Sequence, residues 1–210
     1  MNYSELQREV KSIIQDASPE VLVSIPDFIN EAVQDIAGEL DFPYLRHIYS
    51  ITTSTTYYYV QMTSGFNGRL TYCGNSDGEK NILGGLVDLM ERYPGLEDTG
   101  DVVDVALEDA ILYYQGMPST AETLLCLGYA NPDTLTNDTD TPSFFPAHLH
   151  REYIVNKALE KAYNMVEDAL EFKDKINTKL FAAQAEIGKY KVMIWLSRRR
   201  VNISRSTWSV

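Results

Sequence analysis

The stretch DFPYLRHIYSITTSTTYYYVQ, residues 41–61, decides how the chain is divided. Up to it runs a helical pattern. Pro43 then stops the helix, because a proline ring has no N–H to give and clashes with the preceding turn. From Tyr49 to Met62 the residues are strand formers: Ile51, the threonines 52, 53, 55 and 56, Tyr57, Tyr58, Tyr59 and Val60. The reading is a helix handing the chain to a Thr/Tyr strand that shows hydroxyls to water and opens a small sheet domain.

N-terminal to that stretch, Leu6, Val10, Ile13, Ile14 and Ala17 recur at helical spacing, so residues 4–17 read as a short amphipathic helix. Ser18-Pro19 ends it, since the residue before proline avoids the helical region. The next helix is expected to start at Pro26, with Asp27 at the positive end of its dipole. Phe28, Ile29, Ala32, Val33, Ile36, Ala37 and Leu40 form its apolar stripe, of which Phe28, Ile29, Val33, Ile36 and Leu40 are the expected helical core.

C-terminal to it, residues 65–80 carry glycines 65, 68, 74 and 78 and read as turns around at most one short strand. Residues 82–93 suggest a short helix weakened by Gly84-Gly85. In DVVDVALED (101–109) Val103, Val105 and Leu107 alternate with Asp104 and Glu108, the pattern of a half-buried strand. ILYYQGM (111–117) and TLLCLGYA (123–130) flank a short loop and read as a hairpin. Residues 131–146 are rich in Pro, Asp, Asn and Thr and read as a surface loop.

From Ala147 to Ser197 there is no proline and one glycine, Gly188, while apolar residues recur at helical spacing from Ile154 to Ile194. One continuous helix would be roughly 75 Å long. Either it folds back as a hairpin near Glu167–Lys175 or it projects to pack on another subunit. Both fit an interaction protein.

Composition sets the outer limits. The 210 residues are 44% hydrophobic and 23% charged, enough for one large or two small domains with an ordinary core. Cys73 and Cys126 are the only cysteines, which suits a reducing compartment and leaves room for one disulfide. Met-Asn-Tyr-Ser-Glu does not read as a signal peptide, and no apolar stretch reaches the ~20 residues of a membrane span. The reading is a soluble protein made in the cytoplasm, with no membrane partner. The net charge is −12, yet residues 189–210 hold Lys189, Lys191, Arg198, Arg199, Arg200 and Arg205 and no acid, so the rest carries −18. A basic end complements a helix dipole, and it also suits an acidic docking partner or a nucleic acid.

No catalytic pattern emerges, and no enzyme, cofactor or metal is expected. His148 and His150 (HLH) sit two apart, which on a helix points them to different faces. NDTDTP lacks the glycine and terminal glutamate of a calcium loop. LGGL lacks the Lys-Ser/Thr of a phosphate loop, and no nucleophile elbow is present.

Taken in order, the elements resemble the head-to-tail adaptor (connector, or head-completion) proteins of tailed bacteriophages. The residues that carry the resemblance are IPDFINEAVQDIAGELDFPYLR (25–46), YSITTSTTYYYV (49–60), AETLLCLGYANPDTL (121–135), TNDTDTPSFFP (136–146) and HLHREYIVNKALEKAYNMVEDALEFKDK (148–175). Residues 65–100 match least. The resemblance implies an α+β fold assembling into a ring. A helical bundle with a long C-terminal helix would carry a small antiparallel β-sheet insertion. It implies residues 1–48 as the first part of the helical domain, 49–146 as the β-rich insertion, 147–197 as the long helix or hairpin, and 198–210 as a basic arm. Twelve copies would sit on the portal protein at the virion neck, extend the channel through which double-stranded DNA passes without specific binding, and meet a tail nozzle or tube protein. Trp195, Arg198, Arg199, Arg200, Arg205 and Trp208 become the portal-docking residues, since Trp and Arg anchor interfaces most often. Tyr57, Tyr58 and Tyr59 become a tail or subunit contact. The alternative from the residues alone is a nucleic-acid-binding regulator using its basic end.

Overall fold

A computed structural model describes residues 1–14, 18–96, 98–169 and 175–205, with side chains omitted at Asp98, Ala169 and 200–205. The fold is α+β and consists of two compact units. The helical unit is made of residues 1–44 and 132–210, and the inserted unit of residues 45–131. The acidic and Pro-rich segment 132–146, grouped above with the insertion, thus belongs to the helical unit.

The helical unit begins with α1 (Tyr3–Ile13), whose Asn2 and Glu5 form a capping box that satisfies two orphan backbone donors. Ala17, expected in this helix, lies outside the described residues. Helix α2 (Pro19–Glu39) starts seven residues earlier than the sequence indicates. Pro19 occupies the first turn and Pro26 lies inside the helix, where it removes one backbone bond. The helix survives because the stripe continues unbroken through Val21, Ile25, Ile29, Ala32, Val33 and Ile36, all buried. Leu40 is buried as well, whereas Phe28 is only half-buried.

Residues 132–146 then return along the helices. Asn30 uses its side-chain amide to donate to the Leu135 carbonyl (3.1 Å) and accept from its N–H (2.8 Å), standing in for a strand neighbour. Asp140 accepts from the N–H groups of Thr136 and Asn137, both at 2.8 Å, so NDTDTP is a self-closed turn. Phe144 packs edge to face against both Phe42 and Phe145.

The C-terminal half is a hairpin of helices. Helix α4 (Ala147–His150), a π-helical turn (Arg151–Val155) and α5 (Asn156–Ala169) run consecutively, and α6 (Ile176–Arg205) returns beside them. The antiparallel register is fixed by the stacked rings of Tyr163 and Phe181 (5.1 Å) and by Lys191–Glu152 (2.6 Å). His150 is buried and hydrogen-bonded to the Phe145 carbonyl, while His148 is exposed, so the two do not converge. Among the described residues no helix is long and apolar enough to cross a membrane.

The inserted unit holds two four-stranded sheets and a short two-stranded one. The first sheet has the order β1 (Arg46–Thr52), β10 (Thr123–Ala130), β3 (Phe66–Asn75), β4 (Gly78–Glu79). The second has β2 (Tyr59–Gln61), β8 (Ile111–Tyr114), β7 (Asp104–Glu108), β5 (Asn81–Leu83). β6 (Asp98–Thr99) pairs with β9 (Gly116–Met117), and α3 (Leu86–Arg92) lies over the β5/β7 pair. Tyr49, Ile51, Phe66, Cys73, Leu124 and Cys126 from the first sheet meet Val105, Leu112 and Tyr114 from the second in one core.

Four readings of this region are corrected. The Thr/Tyr run is two strands in different sheets, because residues 53–58 cross between them. Thr53 pairs with Glu122 through backbone and hydroxyl, Ser54 Oγ accepts from the N–H groups of Thr56 and Tyr57 (3.1 Å each), and the buried Tyr114 hydroxyl donates to the Tyr57 carbonyl (2.7 Å). The hydroxyls of Thr53, Ser54 and Tyr114 build the corner, while Thr52, Thr55, Thr56, Tyr57, Tyr58 and Tyr59 stay exposed.

The glycine-rich 66–75 is the longest strand of the chain. Gly65 and Gly78 take positive φ at its ends, as turn residues do. Gly74 lies inside it because a Cβ would meet the Gly78 carbonyl and the Tyr72 ring.

The third correction is in β7, where Asp104 is buried (1% exposed) and Val103 is not (51%). Asp104 can turn inward because Asn81 (2.6 Å), Tyr93 (2.7 Å) and Arg92 (2.8 Å) bind its carboxylate. Burial raises its pKa, and these partners outweigh that and hold it below the usual range.

The proposed hairpin of residues 111–130 is absent. β8 pairs back with β7 through a turn at Asp109 (φ +54°), and β10 joins the other sheet. Pro118 cannot donate to a ladder, and the buried Gln115 side chain ties its strand end to Asp101 and Asp104 instead.

Candidate docking surfaces

Of the expected portal-docking residues, Trp195, Arg198, Arg199, Arg200 and Arg205 lie on α6, which continues to Arg205. The Arg199 guanidinium stacks over the Trp195 ring at 4.6 Å, and Arg198 is exposed. Arg200 and Arg205 are helical, but their side chains lie outside the described set, as does Trp208 altogether. Arg198 and Arg199, both exposed, make this part of α6 basic.

Two of the six cations counted from sequence are spent inside the unit. Lys191 is bound to Glu152, and Lys189 reaches Glu39 at 2.8 Å. Glu39 ends α2 as a hub: it accepts from Tyr153 (2.7 Å), Lys189 and Lys157. Burial pushes its carboxyl up, and the hydrogen bonds from Lys157, Lys189 and Tyr153 overcome this and lower its pKa to about 2. Tyr153 is raised by the same burial and by the adjacent carboxylate. One residue thus holds α2, α5 and α6 together, through contacts that no local spacing reveals.

A pH dependence follows with a defined sign. Glu39 is bound more tightly as carboxylate in the folded state, so its contribution is complete above the ordinary carboxylate pKa and lost as pH falls through about 2. At about 1.4 kcal/mol per pKa unit, the fall from 4.5 to about 2 corresponds to on the order of 3 kcal/mol. Thermal melting from pH 6 to pH 2 should therefore show a shallower acid loss for Glu39→Gln than for wild type. Parallel curves would contradict the hub.

The outer face of α6 carries an unusual pattern. Ile176, Leu180, Ala183, Ile187, Tyr190 and Ile194 follow one another at steps of four and three, and all six are exposed, Ile176 to 70%. Their opposite side, with Ala185, Val192 and Leu196, is buried. A seam at steps of four and three is how one helix receives another. From Ile176 to Ile194 it is roughly 27 Å long, and no described residue of the chain covers it.

A second exposed group lies on the inserted unit. Tyr57, Tyr58 and Tyr59 precede and enter β2, an edge strand, and all three are exposed. Their rings lie 5.6 and 5.7 Å from one another around Tyr59, and Tyr113 of β8 adds a fourth at 6.1 Å. Tyrosine combines a broad apolar body with a polar tip, so the group suits a protein surface. The sequence indicates these three and misses Tyr113, which joins them only through the β2/β8 register.

Among the described residues no group of three His, Cys, Asp or Glu side chains could hold a metal ion. The residues brought together on the surface are apolar, aromatic and basic, the materials of contact. No curated protein matches the chain. The family described as "SU10 adaptor protein" matches residues 1–205, nearly its whole length, in agreement with the element order read above. The chain belongs to the SU10 adaptor protein family.

Proposed function

We propose that this adaptor is the structural head-to-tail connector of a tailed phage, docking as a ring on the portal, extending the DNA channel and receiving the tail. The match over 1–205 carries the reading, and the surfaces give it parts. The exposed seam of α6 packs on the neighbouring copy in a ring of twelve. The basic end of α6, with Trp195, Arg198, Arg199, Arg200, Arg205 and Trp208, docks on acidic portal residues, where arginine pairs bidentately with carboxylates as lysine does not. Tyr57, Tyr58 and Tyr59 meet the tail protein or an adjacent insertion. The −18 borne by residues 1–188 keeps passing DNA from adhering. The protein works at the virion neck and performs no catalysis.

Deletion of residues 198–210 tests the docking role. The ties of Lys189, Lys191 and Leu196 lie before the cut, so the truncated protein should stay folded and lose only the last turns of α6. It should no longer join portal rings in sedimentation or mass measurement. Truncated protein that still decorates portals moves the docking site elsewhere. The basic end also favours a reading as a nucleic-acid binder; that reading predicts lost DNA retention on filters with portal assembly unchanged.

A further inference from the structure

The two cysteines, 53 positions apart in sequence, stand directly opposite each other on β3 and β10. Their sulfurs lie 3.6 Å apart, and both side chains are fully buried in the core between the sheets. The pairing position matters. The Cys73 carbonyl accepts from the Lys80 N–H at 2.8 Å, on the side away from β10. Backbone N–H and C=O of one strand residue point to the same side, so towards β10 Cys73 makes no ladder bond. In such a non-hydrogen-bonded pair the Cα atoms approach to ~4.5 Å, closer than in the alternate position. That falls within the ~4.4–6.8 Å span over which a disulfide closes without moving its backbone.

We propose that Cys73 and Cys126 are a redox latch, an intrachain disulfide that closes across the two central strands of the sheet when the protein meets an oxidising thiol–disulfide medium. The pair is already differentiated for that chemistry. The hydrogen bond from Cys126 and then the Lys80 ammonium pull the Cys73 thiol below its ordinary pKa, while that same bond and burial push Cys126 up. Cys73 is the thiolate that attacks.

With oxidised glutathione as oxidant, the Cys73 thiolate attacks one sulfur, the glutathione S–S bond breaks, and one glutathione thiolate leaves. Cys126 then loses its proton and attacks the Cys73 sulfur of the mixed disulfide, releasing the second glutathione thiolate. Two protein thiols are oxidised by two electrons, and one small disulfide is reduced to two thiols. Because both cysteines are buried, the exchange passes through an opened sheet or precedes its closure. The latch therefore closes slowly and, once closed, resists reduction.

The purified full-length protein, equilibrated in glutathione buffers of graded potential with and without refolding, tests this. Oxidation should lower the intact mass by two hydrogens and leave no thiol for iodoacetamide after unfolding. Proteolysis should yield a peptide pair joined through Cys73 and Cys126. A cross-link closing a loop of this length should raise the melting temperature by about 10 °C, reversibly with dithiothreitol. Cys73→Ser and Cys126→Ser should melt independently of potential; if either fails to fold, the linked peptide and the reversible shift in wild type decide alone. Two reactive thiols after refolding in the most oxidising buffer, stable glutathione adducts, or a disulfide that leaves the melting temperature unchanged would each overturn the latch. None of these outcomes depends on whether the protein docks on a portal.

Discussion

Gly188→Ala is expected to destabilise the helical unit by more than 2 kcal/mol, lowering its melting temperature by roughly 5–10 °C. In an exposed helix the same change stabilises by up to ~1 kcal/mol, since glycine is the poorer helix former. Here the sign reverses. A Cβ on Gly188 would sit 2.3 Å from the Glu152 carbonyl oxygen and 2.9 Å from the Tyr153 Cα, and backbone cannot swing aside as a side chain can. Gly188 is where α6 touches the π-helical turn, so widening that contact also pulls Lys189 and Lys191 off Glu39 and Glu152. Gly38 in α2 provides the comparison: a Cβ there has open space, and Gly38→Ala should raise the melting temperature. If both variants melt higher than wild type, the helices do not cross at Gly188.

Ile36→Asp should do more damage. Ile36 is fully buried in the α2 stripe, and an unpaired carboxylate there costs several kcal/mol. Against a total stability of about 5–15 kcal/mol, the helical unit should be unfolded or barely folded at 37 °C, visible as lost helical signal in circular dichroism. A soluble variant with unchanged melting would mean that this face of α2 is not buried.

The helices were the legible part of the fold, because burial on one side of a helix leaves a repeat in the sequence. Even there, the start of α2 shows the rule that misled: Pro26 suits a first turn, yet Val21 and Ile25 continue the stripe at steps of four in front of it. The insertion was harder because its determinants are distant in sequence. Nothing adjacent to Asp104 announces that Asn81, Arg92 and Tyr93 will neutralise it, so the alternation of DVVDVALED hides that β7 buries Asp104 and Ala106 as well as the expected Val105. The glycines of 65–80 look like turns until Gly74 is seen against Tyr72 and Gly78. The fold-back of the C-terminal half was one of two open alternatives, and the Tyr163–Phe181 stack decides it.

Of the candidate surfaces, the tyrosines and the α6 arginines could be found by residue type alone. Glu39 could not, since its three partners lie more than a hundred residues away. The α6 seam was half-visible. Its residues read as one long apolar helix, but only packing separates those that face α5 from those left outside.

Cryo-electron microscopy of virions would show directly whether the chain sits at the neck. The chain should appear as a ring between portal and tail, with α6 against a neighbouring copy and its basic end on the portal. A protein found free in infected cells and missing from purified virions would contradict it.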